Sequence, residues 1–191
     1  MPPCSARLGS WQKHHLTKIS DMKPREIFFA GGCFWGTEHF FKQIEGVIET
    51  QVGYANGNVN RAPTYQDVCT DTTGFAETVR VVYDEEKVGL TFLTRMYFRA
   101  IDPLSINRQG HDVGTQYRTG VYYTDPTQLP TVQAVFREEE KRVGQSLAVE
   151  LQPLSNFFPA EDYHQDYLNK NPQGYCHLPL ELFSWARRQR P

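Results

Sequence analysis

The feature that most constrains the fold of this chain is a strand, a glycine-rich turn and a helix arranged around a single cysteine. Residues 25–30 are a short apolar run typical of a strand, and Gly31-Gly32-Cys33-Phe34-Trp35-Gly36 follows it, before a helix predicted from Thr37. A cysteine at the start of a helix lies near free N–H groups and the positive end of the helix dipole, which favour a thiolate. The glycines leave room for another molecule at the sulfur, and Phe34 and Trp35 supply an apolar wall. The motif therefore predicts a reactive thiol rather than a buried structural one.

The rest of the chain mixes strand and helix patterns without a strict repeat. Residues 77–84 alternate between apolar and polar side chains, which predicts a strand, and residues 90–101 place apolar side chains at helical spacing. We also predict strands at 47–54, 119–123 and 147–154, helices at 37–44 and 125–142, a short helix within 159–168, a long loop at 102–117 and an irregular tail from Asn171. The predicted fold is α+β: a two-layer sandwich of helices on a mixed, largely antiparallel sheet with a ferredoxin-like plait core.

Length and charge limit the classes of protein to consider. The 191 residues suffice for one core, and we predict a flexible leader at 1–22 followed by a single catalytic domain at 23–191. A net charge of −2 gives no electrostatic footprint for nucleic acid or an anionic membrane. Since no segment has the length of a membrane span and the start lacks an apolar signal region, we expect a cytoplasmic protein.

The cysteines and histidines do not have the spacing of a metal site. Cys4, Cys33, Cys69 and Cys176 are scattered, with no C-x-x-C pair, which argues against a zinc ribbon. The histidines add no metal-ligand spacing, so we expect neither a metal nor another cofactor. Cys69 lies in a strand-like run and is predicted to be a packing residue.

Several short segments together resemble a known family. After Gly32-Cys33-Phe34-Trp35-Gly36 come Gly53-Tyr54-Ala55, Pro63-Thr64-Tyr65, Gly74-Phe75-Ala76-Glu77, Gly114-Thr115-Gln116-Tyr117-Arg118, Glu161-Asp162-Tyr163-His164-Gln165 and Lys170-Asn171-Pro172-Gln173-Gly174-Tyr175-Cys176. In this order and spacing they resemble peptide methionine sulfoxide reductase A, which acts on the S epimer of methionine sulfoxide. The resemblance covers residues 25–176.

The resemblance implies a mechanism for which the chain has suitable residues. The thiolate of Cys33 would attack the sulfoxide sulfur, and Glu77 matches the family's acid, which would protonate the oxygen. Tyr65 and Tyr117 match the tyrosines that hydrogen-bond this oxygen, since a phenol stays protonated near pH 7. The resemblance also implies that Phe34 and Trp35 hold the methyl group of the substrate, and that Asp112 is a carboxylate that shapes the pocket.

The resemblance further implies how the enzyme is recycled. Attack leaves Cys33 as a sulfenic acid, which condenses readily with a thiol. Cys176 fits the family's resolving cysteine, and thioredoxin would reduce the resulting disulfide. Many relatives have another cysteine further along the tail, whereas this chain has none after Cys176, so no second relay step is available. The expected partners are free or protein-bound methionine sulfoxide and thioredoxin, and the expected state is a monomer that repairs oxidised proteins.

Two other functions remain open from the residues alone. A cysteine hydrolase could pair Cys33 with His164, oriented by Asp162, together with an oxyanion hole. A binding module could instead use an aromatic cage for peptides, with Cys33 only packing. The hydrolase leaves Glu77 and the two tyrosines without a role.

Overall fold

The architecture comes from a computed structural model that describes residues 23–191, so the leader predicted at 1–22 lies outside the described residues. The strands are β1 Pro24–Gly31, β2 Val47–Ala55, β3 Ala76–Asp84, β4 Arg108–Gln109, β5 Asp112–Val113, β6 Thr119–Tyr123, β7 Glu150–Pro153 and β8 Phe157–Pro159. The α-helices are α1 Phe34–Phe41, α2 Tyr65–Val68, α3 Leu90–Ala100, α4 Leu129–Val143, α5 Tyr167–Lys170 and α6 Leu180–Arg188, and Thr115–Tyr117 and Pro126–Gln128 are 3-10 turns.

Six strands form one mixed sheet in the order β7-β6-β1-β3-β2-β8. The pairs β6–β1, β1–β3, β3–β2 and β2–β8 are antiparallel, whereas β6–β7 is parallel. The short strands β4 and β5 form a separate antiparallel pair inside the long loop. The predicted α+β class with a mixed, largely antiparallel sheet is confirmed.

One face of the sheet carries the main core. Ile27 pairs with Val81 and Phe29 with Val79 across β1 and β3, and all four side chains are buried. Phe29 stacks on Phe41 of α1 with ring centroids 4.6 Å apart. Because side chains alternate along a strand, every odd-numbered residue of β3 from 77 to 83 points toward this helix-covered face.

The opposite face has a smaller cover. Phe28 and Tyr122 are buried there, and Phe28 makes an edge contact with Phe157 at 5.1 Å between ring centroids. Further along, Arg80 forms ion pairs with Glu26 at 2.7 Å and Glu49 at 3.2 Å on half-exposed strand positions. The two faces therefore differ in how much of each is covered by packed side chains. The candidate acid Glu77 lies on the helix-covered face.

The structure corrects two predictions near the C-terminus. Residues 180–188 form helix α6, where the sequence predicted an irregular tail; Phe183 and Ala186 are buried at helical spacing, and Phe183 meets His39 edge-on at 4.7 Å. Within 159–168 the predicted short helix is wrong, because 157–159 pair with β2 as an edge strand and α5 begins at Tyr167. Between residues 23 and 191, no helix is long and apolar enough to span a membrane.

Candidate active site

Cys33 lies at the junction of β1 and α1, at the cap position that precedes the helix. β1 ends at Gly31, and Gly32 turns the chain with φ of +81°, a conformation that side chains rarely adopt. The hydroxyl of Thr37 lies 3.1 Å from the Gly31 carbonyl oxygen and 3.2 Å from that of Cys33, so it ties the first helical turn to the strand end. The predicted strand and turn are confirmed, and a helix follows Cys33 as predicted, although it runs from Phe34 to Phe41 rather than over residues 37–44.

Gly32 also allows the long loop to approach the turn. A Cβ atom at Gly32 would lie 2.6 Å from the Cβ of Gln109. Gln109 is fixed in turn by its side-chain amide, which accepts from the Asp102 N–H at 2.8 Å and donates to the Asp102 carbonyl at 2.9 Å. The loop at 102–117, which carries Asp112 and Tyr117, is therefore held against the cysteine turn.

The thiol of Cys33 is buried and protonated in this environment. Only 6% of the residue is exposed. Burial and the nearby charges of Glu77 and Asp112 raise the pKa of Cys33 well above its ordinary value, whereas the N–H groups of Trp35 and Gly36 lower it by a smaller amount. The sequence predicted a reactive thiol that is not buried, and the structure corrects the second part, because Cys33 is buried and its desolvation outweighs the helix N-terminus.

Glu77 is a buried acid beside the cysteine turn. It lies in β3 in phase with Val79, so its side chain enters the helix-covered face, and only 1% of it is exposed. Its Oε2 accepts a hydrogen bond of 3.0 Å from the N–H of Phe34, the residue after Cys33. Burial raises the pKa of Glu77 to about 8, although this N–H acts in the opposite direction. A carboxyl group with that pKa holds a proton near neutral pH.

Tyr65 and Tyr117 come from separate segments and lie together near Glu77. Tyr65 begins α2, where the side chain of Thr64 caps the helix by accepting from the Asp67 N–H. Tyr117 ends the 3-10 turn Thr115–Tyr117. Burial, followed by the charge of Glu77, raises the pKa of both phenols, and the two phenols also interact with each other. Both therefore remain hydrogen-bond donors at neutral pH.

Asp112 lies beside Cys33 together with a residue that the sequence did not indicate. Its Oδ1 accepts a hydrogen bond of 2.9 Å from the hydroxyl of Tyr175. The Cys33 sulfur, an Asp112 carboxylate oxygen and an imidazole nitrogen of His177 all lie within 4.8 Å of one another. The segment 175–177 is therefore part of the site, although it follows Asp112 by more than sixty residues in the sequence.

Cys176 packs on α1, close to the start of that helix. A Cβ atom at Gly36 would lie 3.0 Å from the Cys176 sulfur and 3.0 Å from the imidazole of His177. The N–H of the same glycine is directed at Cys33. Burial raises the pKa of Cys176, which is half-buried. Gly36 is therefore close to both cysteines: its N–H is directed at Cys33, and its missing side chain leaves room for Cys176.

Phe34 and Trp35 are held by a network around His164. Phe34 is buried and its ring centroid lies 5.1 Å from that of His164. Trp35 stacks on Tyr167 at 3.8 Å between centroids, and its indole N–H donates to His164 Nδ1 at 3.0 Å. The other nitrogen of His164 lies 4.0 Å from a Glu161 oxygen. The predicted reductase site included neither His164 nor Glu161, although the motif at 161–165 contains both and the hydrolase alternative used His164.

The same network bears on the hydrolase alternative, which needs His164 to serve Cys33. Burial lowers the pKa of His164, so the imidazole is neutral near pH 7. Its Nδ1 is occupied by the indole N–H of Trp35, and its Nε2 is buried, 4.0 Å from a Glu161 oxygen. The arrangement favours a structural role for His164 in holding Trp35.

Cys69 differs from its prediction. It lies directly after the last residue of α2, Val68, and is exposed, whereas the sequence predicted a packed residue in a strand. The error has a local cause. Thr64 and Asp67 form a capping box that begins a helix at Tyr65, and the helix is too short to show helical periodicity in the sequence.

Comparisons with known proteins agree with this geometry. The family model described as peptide methionine sulfoxide reductase matches residues 25–190. A peptide methionine sulfoxide reductase MsrA from Clostridium acetobutylicum is 52% identical over 158 residues, which cover 83% of this chain and 97% of that protein.

Solved structures give the same result. Mxr1 from Saccharomyces cerevisiae in its reduced form has a TM-score of 0.77 at 39% identity, with 81% of this chain and 89% of that one covered. A structure of Mxr1 in complex with Trx2 has a TM-score of 0.54 at 26% identity and covers 76% of this chain and 85% of that one.

Proposed function

This chain belongs to the peptide methionine sulfoxide reductase family, and we propose that Cys33, Glu77, Tyr65 and Tyr117 carry out its reaction, with Cys176 as the resolving thiol. The enzyme reduces methionine sulfoxide to methionine, and thioredoxin is its reductant. The observation that supports the proposed roles most directly is the buried carboxyl of Glu77, whose pKa is raised to about 8 beside the cysteine turn.

In the first step Cys33 attacks the sulfur of the sulfoxide. This attack forms a bond between the Cys33 sulfur and the substrate sulfur while the sulfoxide oxygen is protonated. The sulfur–sulfur bond and the substrate sulfur–oxygen bond then break as the hydroxyl group passes to the Cys33 sulfur, which leaves Cys33 as a sulfenic acid and the substrate as methionine. The attack needs a thiolate, and the N–H groups of Trp35 and Gly36 stabilise one at the helix start. These N–H groups stabilise the thiolate most effectively while Glu77 is neutral, because an ionised Glu77 would repel it.

Glu77 supplies the proton that the sulfoxide oxygen needs. A general acid works best when its pKa is close to the operating pH, and a normal glutamate would be ionised at pH 7. Burial keeps Glu77 protonated under those conditions. Its hydrogen bond from the Phe34 N–H fixes the carboxyl next to Cys33.

The remaining side chains orient the substrate. The phenols of Tyr65 and Tyr117 donate hydrogen bonds to the sulfoxide oxygen, since their raised pKa keeps them protonated. Phe34 and Trp35 contact the methyl group of the substrate. Asp112 shapes the opposite wall and is held in place by Tyr175.

Cys176 then resolves the oxidised cysteine. Its thiol attacks the sulfenic sulfur of Cys33, water leaves, and a disulfide forms between the two residues. The packing of Cys176 on α1 at Gly36 supports this role, because the tail needs to move only locally to reach Cys33. Thioredoxin reduces this disulfide by thiolate attack and returns both thiols.

Several finer assignments complete the proposal. The preferred epimer is the S sulfoxide, in free methionine and in oxidised proteins, and the enzyme acts in the cytoplasm as a monomer with one catalytic domain at 23–191. The central elements β1-α1-β2-β3-α3-β6 and their order β6-β1-β3-β2 support a ferredoxin-like plait as the core of the fold.

The roles of the two cysteines are tested with single substitutions. Cys33→Ser should abolish reduction, because an alcohol is a weak nucleophile at neutral pH. Cys176→Ser should still form one methionine per enzyme, accumulate a Cys33 sulfenic acid and lose turnover with thioredoxin, while a small thiol restores part of it. Cys69→Ser is the matched control and should behave as the wild type in both assays.

Two results would contradict the assignment. Turnover by Cys33→Ser with dithiothreitol would remove Cys33 as the nucleophile. If peptide mapping of the wild type after one oxidising turnover showed mainly a Cys33–Cys69 bond, the resolving role would pass to Cys69.

A further inference from the structure

Three potential metal ligands of different chemistry converge beside the turn that begins α1. They are the Cys33 thiol, the Asp112 carboxylate and the His177 imidazole, and their donor atoms lie within 4.8 Å of one another. They come from three distant segments, which explains why their spacing in the sequence shows no metal motif. No other group of three such ligands occurs at metal-binding distance within residues 23–191.

In two of these side chains, atoms that could bind a metal lack a well-formed hydrogen bond inside the protein. Within residues 23–191, the Oδ2 atom of Asp112 and both nitrogens of His177 are buried without a hydrogen bond of good geometry, and the only backbone polar group that acts on the imidazole at close range is that of Gly31. A buried polar atom without a partner is uncommon and costs free energy. The proposed reduction reaction gives His177 no task, so its orientation toward Cys33 and Asp112 is unexplained by that reaction.

The surroundings resemble the support that metal ligands receive in proteins. One oxygen of Asp112, Oδ1, accepts a hydrogen bond from Tyr175, whereas Oδ2 is buried and has no hydrogen-bond partner within residues 23–191. His177 is fixed against Gly36 of α1, where a Cβ atom would approach its ring to 3.0 Å. Such contacts orient a ligand and are part of most metal sites.

We propose that Cys33, Asp112 and His177 form a zinc-binding site that reversibly blocks the nucleophile of this enzyme. One thiolate, one imidazole nitrogen and one carboxylate oxygen are a suitable set for Zn²⁺, which binds four ligands and often leaves one position to water. Ligand atoms around zinc are about 3–4 Å apart, given bond lengths of about 2.0–2.3 Å, so closing the observed cluster requires a shift of about 1 Å. Zinc bound there displaces the thiol proton and occupies the place of the sulfoxide.

Direct metal binding tests the site without relying on activity. Cys4, His14 and His15 also have donors for zinc, so every protein carries Cys4→Ser, His14→Asn and His15→Asn as a common background. Zn²⁺ is titrated into the reduced full-length chain against a chromophoric chelator. Co²⁺ is added separately, because a cobalt–thiolate bond gives a charge-transfer band that reports a cysteine ligand.

We expect one zinc per chain and a cobalt–thiolate band in the background protein. Cys33→Ser should lose the band, and His177→Asn should weaken zinc binding at least about tenfold, since even groups that only support a metal ligand contribute about 10–100-fold. His111→Asn is the matched control, because this exposed residue precedes Asp112 and lies outside the cluster. It should bind zinc as the background protein does.

Two further proteins separate this site from a pair of thiols. Cys176→Ser should keep zinc binding within about threefold and keep its cobalt–thiolate band. The background protein, oxidised to the Cys33–Cys176 disulfide, has every cluster residue but no Cys33 thiolate, so it should not bind cobalt with a thiolate band.

The opposite pattern would overturn the proposal. If His177→Asn bound zinc as tightly as His111→Asn while Cys176→Ser lost it, the ligands would be the two cysteines. Zinc binding that persisted unchanged in Cys33→Ser would place the metal elsewhere. Each result is independent of the reduction reaction, because the wild type can reduce sulfoxide without binding zinc at this position.

Discussion

The raised pKa of Glu77 should appear as a pH dependence of protein stability that one substitution removes. The substitution is Glu77→Gln, made in a Cys33→Ser background so that the neighbouring thiol does not titrate. Glutamine keeps the size of the side chain and an oxygen that can accept the 3.0 Å hydrogen bond from the Phe34 N–H. The two proteins therefore differ mainly in one ionisable group.

The magnitude follows from the pKa in the folded and unfolded states. Glu77 has an ordinary value of 4.5 in the unfolded chain and about 8 in the folded one. Below pH 4.5 both states are protonated and the full stability is present, whereas between the two values only the unfolded state releases the proton. Stability therefore falls as pH rises, by about 1.4 kcal/mol per pH unit and about 4–5 kcal/mol in total.

Urea unfolding at fixed ionic strength, followed by tryptophan fluorescence, measures this directly. The quantity of interest is the free energy of unfolding of Cys33→Ser/Glu77→Gln minus that of Cys33→Ser at each pH. Groups common to both proteins cancel in the difference. Between pH 6 and pH 8 this difference should grow by about 2–3 kcal/mol in favour of the glutamine protein.

A constant difference would refute the reasoning. If it changed by less than about 0.5 kcal/mol between pH 5 and pH 9, far below the linkage value, the pKa of Glu77 would not be raised by folding. The acid role would then lose its physical basis, because an ordinary glutamate is ionised at pH 7. If this difference in unfolding free energy fell as the pH rose, folding would lower the pKa of Glu77 instead of raising it.

Two predictions concern the rates of the separate steps. Glu77→Gln should slow the first turnover by about 10²–10⁴-fold in quenched-flow experiments, the usual contribution of a general acid, and a loss below about threefold would exclude that role. The wild type should lose rate above about pH 8 as Glu77 ionises, and the variant should not. Gly36→Ala should form the Cys33–Cys176 disulfide at least about threefold more slowly, because its Cβ would meet the Cys176 sulfur at 3.0 Å, although alanine favours the helix by about 0.5–1 kcal/mol. Mass spectrometry of alkylated samples checks this, and an unchanged rate would show that Cys176 does not approach past residue 36.

The sequence predicted the parts of the fold whose signals are local. Periodicity gave β3 within one residue of its observed bounds, and the glycine-flanked motif gave the strand, turn and helix around Cys33. Helix α6 was missed because Pro172, Gly174 and Pro179 dominate the composition of the preceding tail, while its nine residues bury only a narrow apolar stripe.

The site was only partly predictable for a different reason. Its residues could be assigned from the resemblance of the motifs, but the protonation of Cys33 depends on how deeply the loop at 102–117 and the tail bury it. Likewise, the contact of Tyr175 with Asp112 joins segments 63 residues apart, and no local pattern encodes that distance. The prediction that Cys33 is not buried was therefore wrong, since burial is a property of the assembled fold.

The paired burial of Cys33 and Glu77 leads to a last prediction about protons. Burial raises the pKa of both groups: it keeps the Glu77 carboxyl neutral up to about pH 8, and it raises the pKa of the Cys33 thiol, which an ionised Glu77 would raise further. The resting enzyme at pH 7 therefore holds a proton on both groups. Glu77 gives its proton to the sulfoxide oxygen and can regain the one that Cys33 loses, so a thiol and a sulfoxide yield a sulfenic acid and a thioether with no net change. A single turnover of Cys176→Ser in weak buffer with an indicator dye should thus show proton exchange well below one per enzyme at pH 7. Uptake of a full proton per methionine would mean that Cys33 starts as a thiolate.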